Sequence, residues 1–171
     1  MNKRFAIIFL MLAAVVGMYS QDLKGSWKTQ TVKDSLDIDI LFTFTESALD
    51  MKFLISHEDP ELGLVVMSIN LPSLYKRTDD LIKIDYDANQ FKLKIEKIEF
   101  SDEVKKTMDD EPGMADFFRG LIEVAINSGK DKLIETFKKS DELRIDTLTT
   151  TSLVLTDETG ESMSFTRSVE E

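Results

Sequence analysis

Between Leu36 and Ile55 the chain alternates. Leu36, Ile38, Ile40, Phe42 and Phe44 fall on one side of an extended backbone, with Asp37, Asp39, Thr43 and Thr45 on the other. After Glu46-Ser47-Ala48 the period of two restarts, with Leu49, Met51, Phe53 and Ile55 set against Asp50, Lys52 and Ser56. Two such runs joined by a tight turn predict an antiparallel hairpin with one buried and one wet face. A shorter, weakly alternating strand is expected before it, from Gly25 to Val32, ending in the turn Asp34-Ser35. His57-Glu58-Asp59-Pro60-Glu61 breaks the pattern. Leu62 to Ile69 is apolar on both faces, which predicts a covered strand, and Pro72 predicts an edge position or a bend. Leu81 to Tyr86 and Phe91 to Ile98 predict a further hairpin around Asp87-Ala88-Asn89.

The period changes at Ser101, which suits a helix N-cap with Asp102 and Glu103 in its first turn. Asp110-Glu111-Pro112-Gly113 is expected to stop this helix, and Pro112 to open a second. There Met114, Phe117, Phe118, Leu121, Ile122 and Ala125 recur at spacings of three and four. Asn127-Ser128-Gly129 is expected to end that helix, leaving Leu133, Ile134 and Phe137 as a third stripe. Strands resume at Glu142, with Leu143, Ile145 and Thr147 alternating, then Leu153 to Leu155, then Met163 to Arg167. The fold class is mainly β: an up-and-down antiparallel meander of eight or nine strands, with a helical insertion at 101–140 before the last strands.

Two ends of this meander stand out. Gly25-Ser26-Trp27 opens it with the chain's only tryptophan, and Met163-Ser164-Phe165-Thr166-Arg167 closes it. A Gly-x-Trp opening with a last-strand arginine resembles the lipocalin-like (calycin) barrel proteins. The resemblance covers Leu23 to about Ser168. It implies a closed barrel, with Trp27 at its closed end and Arg167 across the indole ring, a pairing of ~0.5–2 kcal/mol. Gly25, Trp27 and Arg167 would then be structural residues of the barrel base. The helical insertion departs from the family's usual single helix after the barrel strands.

Ahead of the strands, Lys3 and Arg4 precede an unbroken apolar run from Phe5 to Val16, with Gly17, Ser20 and Gln21 following. This is the pattern of an export signal, with cleavage expected near Ser20-Gln21, leaving a single domain from 21 to 171. Twelve apolar residues are short of the roughly 20 needed to span a bilayer, so no stable membrane insertion is expected once the signal is removed. The expected location is exported, periplasmic or secreted. The formal charge of −11 becomes −13 when Lys3 and Arg4 leave with the signal. So acidic a protein repels phosphate backbones, which argues against nucleic acid as a partner. The absence of cysteine rules out disulfides and thiolate chemistry, so the exported domain must be held by its core.

Catalytic chemistry finds little purchase. His57 is the only histidine, which leaves no Ser-His-acid relay beyond it and makes a zinc site improbable. Its plainest reading is a strand-end side chain bonded to backbone or solvent. Asp85-x-Asp87-x-Asn89 with Glu96 nearly spells a calcium loop, but Gln90 stands where glycine is required, and the strand pattern carries Glu96 away. No enzyme activity, metal or cofactor is expected. The feature with functional promise is the apolar inner face: Ile40, Phe42, Phe44, Met51, Phe53 and Ile55, with His57 at the rim. Such a lining suits a fatty acid, a sterol-like molecule or an aromatic ligand. The expected function is a non-enzymatic binding protein holding a small hydrophobic molecule. The alternative is a filled barrel acting as an interaction module, contacting another protein through its helical insertion.

Overall fold

A computed structural model describes residues 22–110, 113–139 and 141–168. The proposed signal segment lies outside these residues, as do Pro112 and the acidic tail Glu170-Glu171. The alternating runs become β1 (Gly25–Lys33), β2 (Leu36–Phe44), β3 (Ala48–Asp59), β4 (Gly63–Thr78), β5 (Leu81–Tyr86) and β6 (Lys92–Phe100). Two helices follow, α1 (Asp102–Asp110) and α2 (Met114–Lys138), and then β7 (Glu142–Leu148), β8 (Ser152–Asp157) and β9 (Ser162–Ser168). All pairings are antiparallel. The strand order β3-β2-β1-β9-β8-β7-β5-β4-β6, with β3 also paired to β4, closes an eight-stranded ring with the helices inserted before its last three strands.

The alternation of β2 and β3 is honoured in register. Trp27, Phe42, Met51 and Leu71 stand opposite one another across β1 to β4, and all four are buried. Asp34 and Ser35 both adopt positive φ, 53° and 65°, giving the two-residue turn whose twist matches the flanking strands.

The hairpin expected around Asp87-Ala88-Asn89 does not form. β4 runs for 16 residues, and β5 and β6 lie end to end along one of its edges. Ser73–Thr78 pairs with β5, and Gly63–Asn70 pairs with β6. Between them a 3-10 turn at Ala88–Gln90 steps the chain sideways, capped by the Asp87 carboxylate, which accepts from the Asn89 backbone N–H. Pro72 stands at this interruption, opposite Asp50 on β3 but facing no residue of β5 or β6. β4 therefore continues through its proline without bending away, because the missing N–H falls where its neighbour is broken.

The insertion also differs from expectation. It holds two helices, not three, because α2 passes through Asn127-Ser128-Gly129 without a break. The Ser128 hydroxyl bonds back to the Ala125 carbonyl at 2.7 Å, which keeps that hydroxyl inside the helix. Ser101 caps α1 as expected, its Oγ accepting from the Val104 N–H. On β7 the simple alternation fails at Asp146. A bulge between Ile145 and Thr147 turns Thr147 outward.

Candidate functional site

The base of the barrel is built around Trp27, which has no exposed surface. Its indole N–H donates to the Leu23 carbonyl at 2.8 Å, satisfying the one polar atom of the side chain. The Arg167 guanidinium lies 4.2 Å from the ring centroid. Its three nitrogens donate to three carbonyls: Nε to Thr150 at 2.8 Å, Nη1 to Lys24 at 2.7 Å and Nη2 to Asp22 at 2.8 Å. Arg167 thus ties the chain entering β1 to the loop between β7 and β8. Gly25 makes this approach possible. Its φ is +112°, and a Cβ there would sit 2.8 Å from Arg167 Nη1.

Above the base, burial falls off along the inward face. Ile40, Phe42, Phe44 and Met51 are buried. Phe42 packs against Phe165 with ring centroids 4.9 Å apart, and edge-on to Phe44 and Phe53 at 6.3 and 6.1 Å. Phe44 meets Tyr75 at 5.3 Å, and the Tyr75 hydroxyl donates to the Thr45 carbonyl. This lower half is filled by side chains. Higher up, Ile38, Phe53, Ile55, Leu93 and Met163 still pack on the core but are only half-buried. Four of the residues predicted to line a ligand site therefore belong to a packed floor. Phe53, opposite Ile40 in register, and Ile55, one step further along, are the half-buried ones. His57 sits at the rim, half-buried, with Nδ1 3.3 Å from the Ser35 carbonyl oxygen. That contact matches the plain strand-end reading of this histidine.

Sequence reasoning left open where the helical stripe would pack. The C-terminal third of α2 meets the interior: Phe137 lies 5.4 Å from Phe53, 6.3 Å from Tyr86 and 6.4 Å from Phe91, ring to ring, with Leu133 and Ile134 beside it. Burial pushes the Tyr86 phenol up from its ordinary pKa, and the nearby Asp141 charge adds to the effect. The helix packs against β6 and the core, a placement that its spacing alone did not reveal. Its N-terminal half is different. Phe118 packs on Phe100 at 6.3 Å, but Phe117, Leu121 and Val124 are 59%, 49% and 68% exposed. Met114 and Phe118 are half-buried, so the stripe of three-and-four spacing divides between barrel and solvent.

A groove of about 850 Å³ crosses β1 to β4, lined by outward residues such as Lys28, Asp39, Leu41, Lys52 and Glu96 and also by Thr29, Ile40, Phe53 and Ile69 of the inward set. Glu96 is held there by Ser68 at 2.6 Å and Lys94 at 2.7 Å, well apart from the Asp87 turn. Among the described residues, no group of three or more His, Cys, Asp or Glu is placed to hold a metal ion. No described helix is long and apolar enough to cross a membrane.

No protein-family model matches the chain, and no curated protein matches it either. The likeness to lipocalin-like barrels rests on the eight-stranded ring and on the Gly25, Trp27 and Arg167 geometry, with which it is compatible.

Proposed function

We propose that this protein is an exported, non-enzymatic binder of a small hydrophobic molecule, held in the upper half of the barrel. One observation carries the reading: the inward residues pass from fully buried at Trp27 and Phe44 to half-buried at Ile38, Phe53 and Ile55. Apolar side chains that point inward and remain partly uncovered form a cup, and a ligand covering them gains about 25 cal/mol per Å². His57 and the hydroxyls of Thr29 and Thr31 are the polar groups near that cup, few enough to orient a mostly apolar body. The packed floor limits the ligand to a small one, a fatty acid, sterol-like or aromatic molecule. Trp27 and Arg167 contribute stability at the base and take no part in recognition.

The test is native mass spectrometry of the mature protein from its own compartment, followed by solvent extraction. A stoichiometric apolar adduct supports carriage and names the ligand class. A clean unliganded mass, with no uptake of fatty acid, sterol or haem, overturns it. That outcome favours the second reading, an interaction module contacting another protein through α2, for which the exposed Phe117, Leu121 and Val124 speak.

A further inference from the structure

β1 and β9 close the ring through only three backbone pairs, Ser26–Ser168, Trp27–Arg167 and Lys28–Thr166. Above Lys28 the two strands stop pairing, although each keeps its other neighbour: β1 stays on β2 as far as Lys33, and β9 stays on β8 up to Ser162. Carrying the register upward sets Thr29 against Phe165, Gln30 against Ser164, Thr31 against Met163 and Val32 against Ser162. One step higher it sets Lys33 against Glu161, and there an ion pair does span the seam, Nζ to Oε1 3.7 Å. The wall thus lacks backbone pairing over four residues, about 13 Å at strand rise, with the buried Phe165 closing the lowest level and leaving the slit above it. Backbone pairing bounds the unpaired stretch below, and a single solvent-exposed ion pair bounds it above.

Burial agrees. Thr31 belongs to the inward set with Trp27 and Thr29, yet it is exposed, while Ile38 and Ile55, in register with it on β2 and β3, are half-buried. At this height the interior is open on the β1 side. Beside β6, α2 packs on the core, with Phe137 anchored on three rings.

We propose that the slit between the upper halves of β1 and β9 is a lateral portal through which a slender apolar chain reaches the barrel interior, with Lys33–Glu161 as its clasp. The inference rests on the ligand-binding reading above. It adds the route and a shape: a thin, unbranched chain passes between Thr31 and Met163 more readily than a rigid fused-ring body. An exposed ion pair is weak and screened by salt, so it suits a contact that must open.

The chain has no cysteine, so Gln30→Cys with Ser164→Cys introduces the only two thiols, facing each other across the slit. The probe is a dansyl-labelled undecanoic acid, followed by energy transfer from Trp27. Joining the thiols with a short bifunctional reagent is expected to slow both uptake and release at least tenfold, with equilibrium affinity unchanged. Lys33→Ala with Glu161→Ala is expected to speed exchange several-fold and to abolish the acceleration that added salt gives the parent. Unchanged rates in the cross-linked protein overturn the portal while leaving ligand binding intact. If the uncross-linked protein takes up no probe at any time, the binding reading fails and the portal with it. Should cross-linking disturb folding, the alanine pair decides: exchange at the parental rate, with parental salt dependence, also overturns the clasp.

Discussion

Replacing Arg167 with alanine removes four interactions at once, and the structure sets their size. The guanidinium gives three charge-assisted bonds to carbonyl oxygens at 2.7–2.8 Å, and it covers one face of Trp27. Arg167 is only half-buried, so each bond is worth the low end of its range, about 0.5–1 kcal/mol. The stacking contributes ~0.5–2 kcal/mol. Together these give about 2–5 kcal/mol, a fall in Tm of about 4–20 °C for a domain of this length. Trp27 is the only tryptophan, so its emission reports on this site alone, and the shift should be visible in the folded state before any melting. Gly25→Ala attacks the same contact from the other side. It places a Cβ 2.8 Å from Nη1 and imposes a strained φ of +112°, about 1–3 kcal/mol. The two changes should therefore be less than additive in the double variant, since with Arg167 gone only the backbone strain remains. An Arg167→Ala protein that melts with the parent and keeps its tryptophan spectrum would refute the argument that this residue bolts the base.

Three further outcomes are expected. Phe137→Ala should cost about 2–3 kcal/mol, below the value for a fully buried phenylalanine, and amide exchange along 114–138 should quicken while that of β1 to β3 does not. Thr156→Val keeps the shape of a buried side chain but removes its hydroxyl, which donates to Asp146 and meets Ser162 at 2.6 Å. A loss of about 1–3 kcal/mol in urea unfolding is expected, and a neutral result would mean that water replaces the bonds. The acid limb follows from three carboxylates held below their ordinary pKa: Asp59 by the Leu62 and Glu61 backbone N–H groups, Asp146 by Arg144 and then Thr156, and Asp157 chiefly by the Thr159 hydroxyl. Their folded-state pKa values are depressed. The stability they give is therefore present above the unfolded value near pH 4 and is lost as pH falls through the folded one. Urea midpoints should be level from neutral pH down to about pH 5 and fall below it, with a shallower fall in Asp157→Asn.

What was legible in the sequence was whatever depends on a strand's own two faces. The alternation from Leu36 to Ile55 fixed a hairpin, its register and its inward side without any knowledge of neighbours, because a slip of one residue would turn every phenylalanine to water. The pairing of a first-strand Trp27 with a last-strand Arg167 was also readable, through the resemblance. What was not legible was which edge each strand joins. Leu81–Tyr86 and Phe91–Ile98 look like the arms of a hairpin because a turn separates them. Their common partner is β4, whose length became evident only once Pro72 was seen to fall at the break. The helices failed for a related reason. Spacing assigns a face to Phe117, Leu121 and Phe137 alike, but only the last packs on the barrel core. The site divided in the same way. Ile40 and Phe53 share an inward face and stand opposite each other in register, yet one is buried and the other half-buried, a difference that alternation does not carry.

Height explains how the barrel combines a firm base with an open side. The three-stranded unit β7–β8–β9 joins the rest of the ring by three backbone pairs to β5 and three to β1, both seams short for strands of six to nine residues. Two such seams would let the unit rock as a whole unless something fixed one end. Arg167 does this at the base, since it reaches from β9 to the carbonyls of Asp22 and Lys24 ahead of β1 and of Thr150 before β8. The bonds to Thr150 and, from the Arg167 backbone N–H, to Thr151 at 2.9 Å stay inside the unit, so the ties that cross the seam are those to Asp22 and Lys24. With the base held, the freedom left to the unit is a splaying of its upper edge away from β1, where only Lys33 and Glu161 resist. The residues that confer stability and the residues that would admit a ligand thus lie on the same seam. A base loosened by Arg167→Ala should therefore also exchange the dansyl probe faster, though Arg167 lies below the cup.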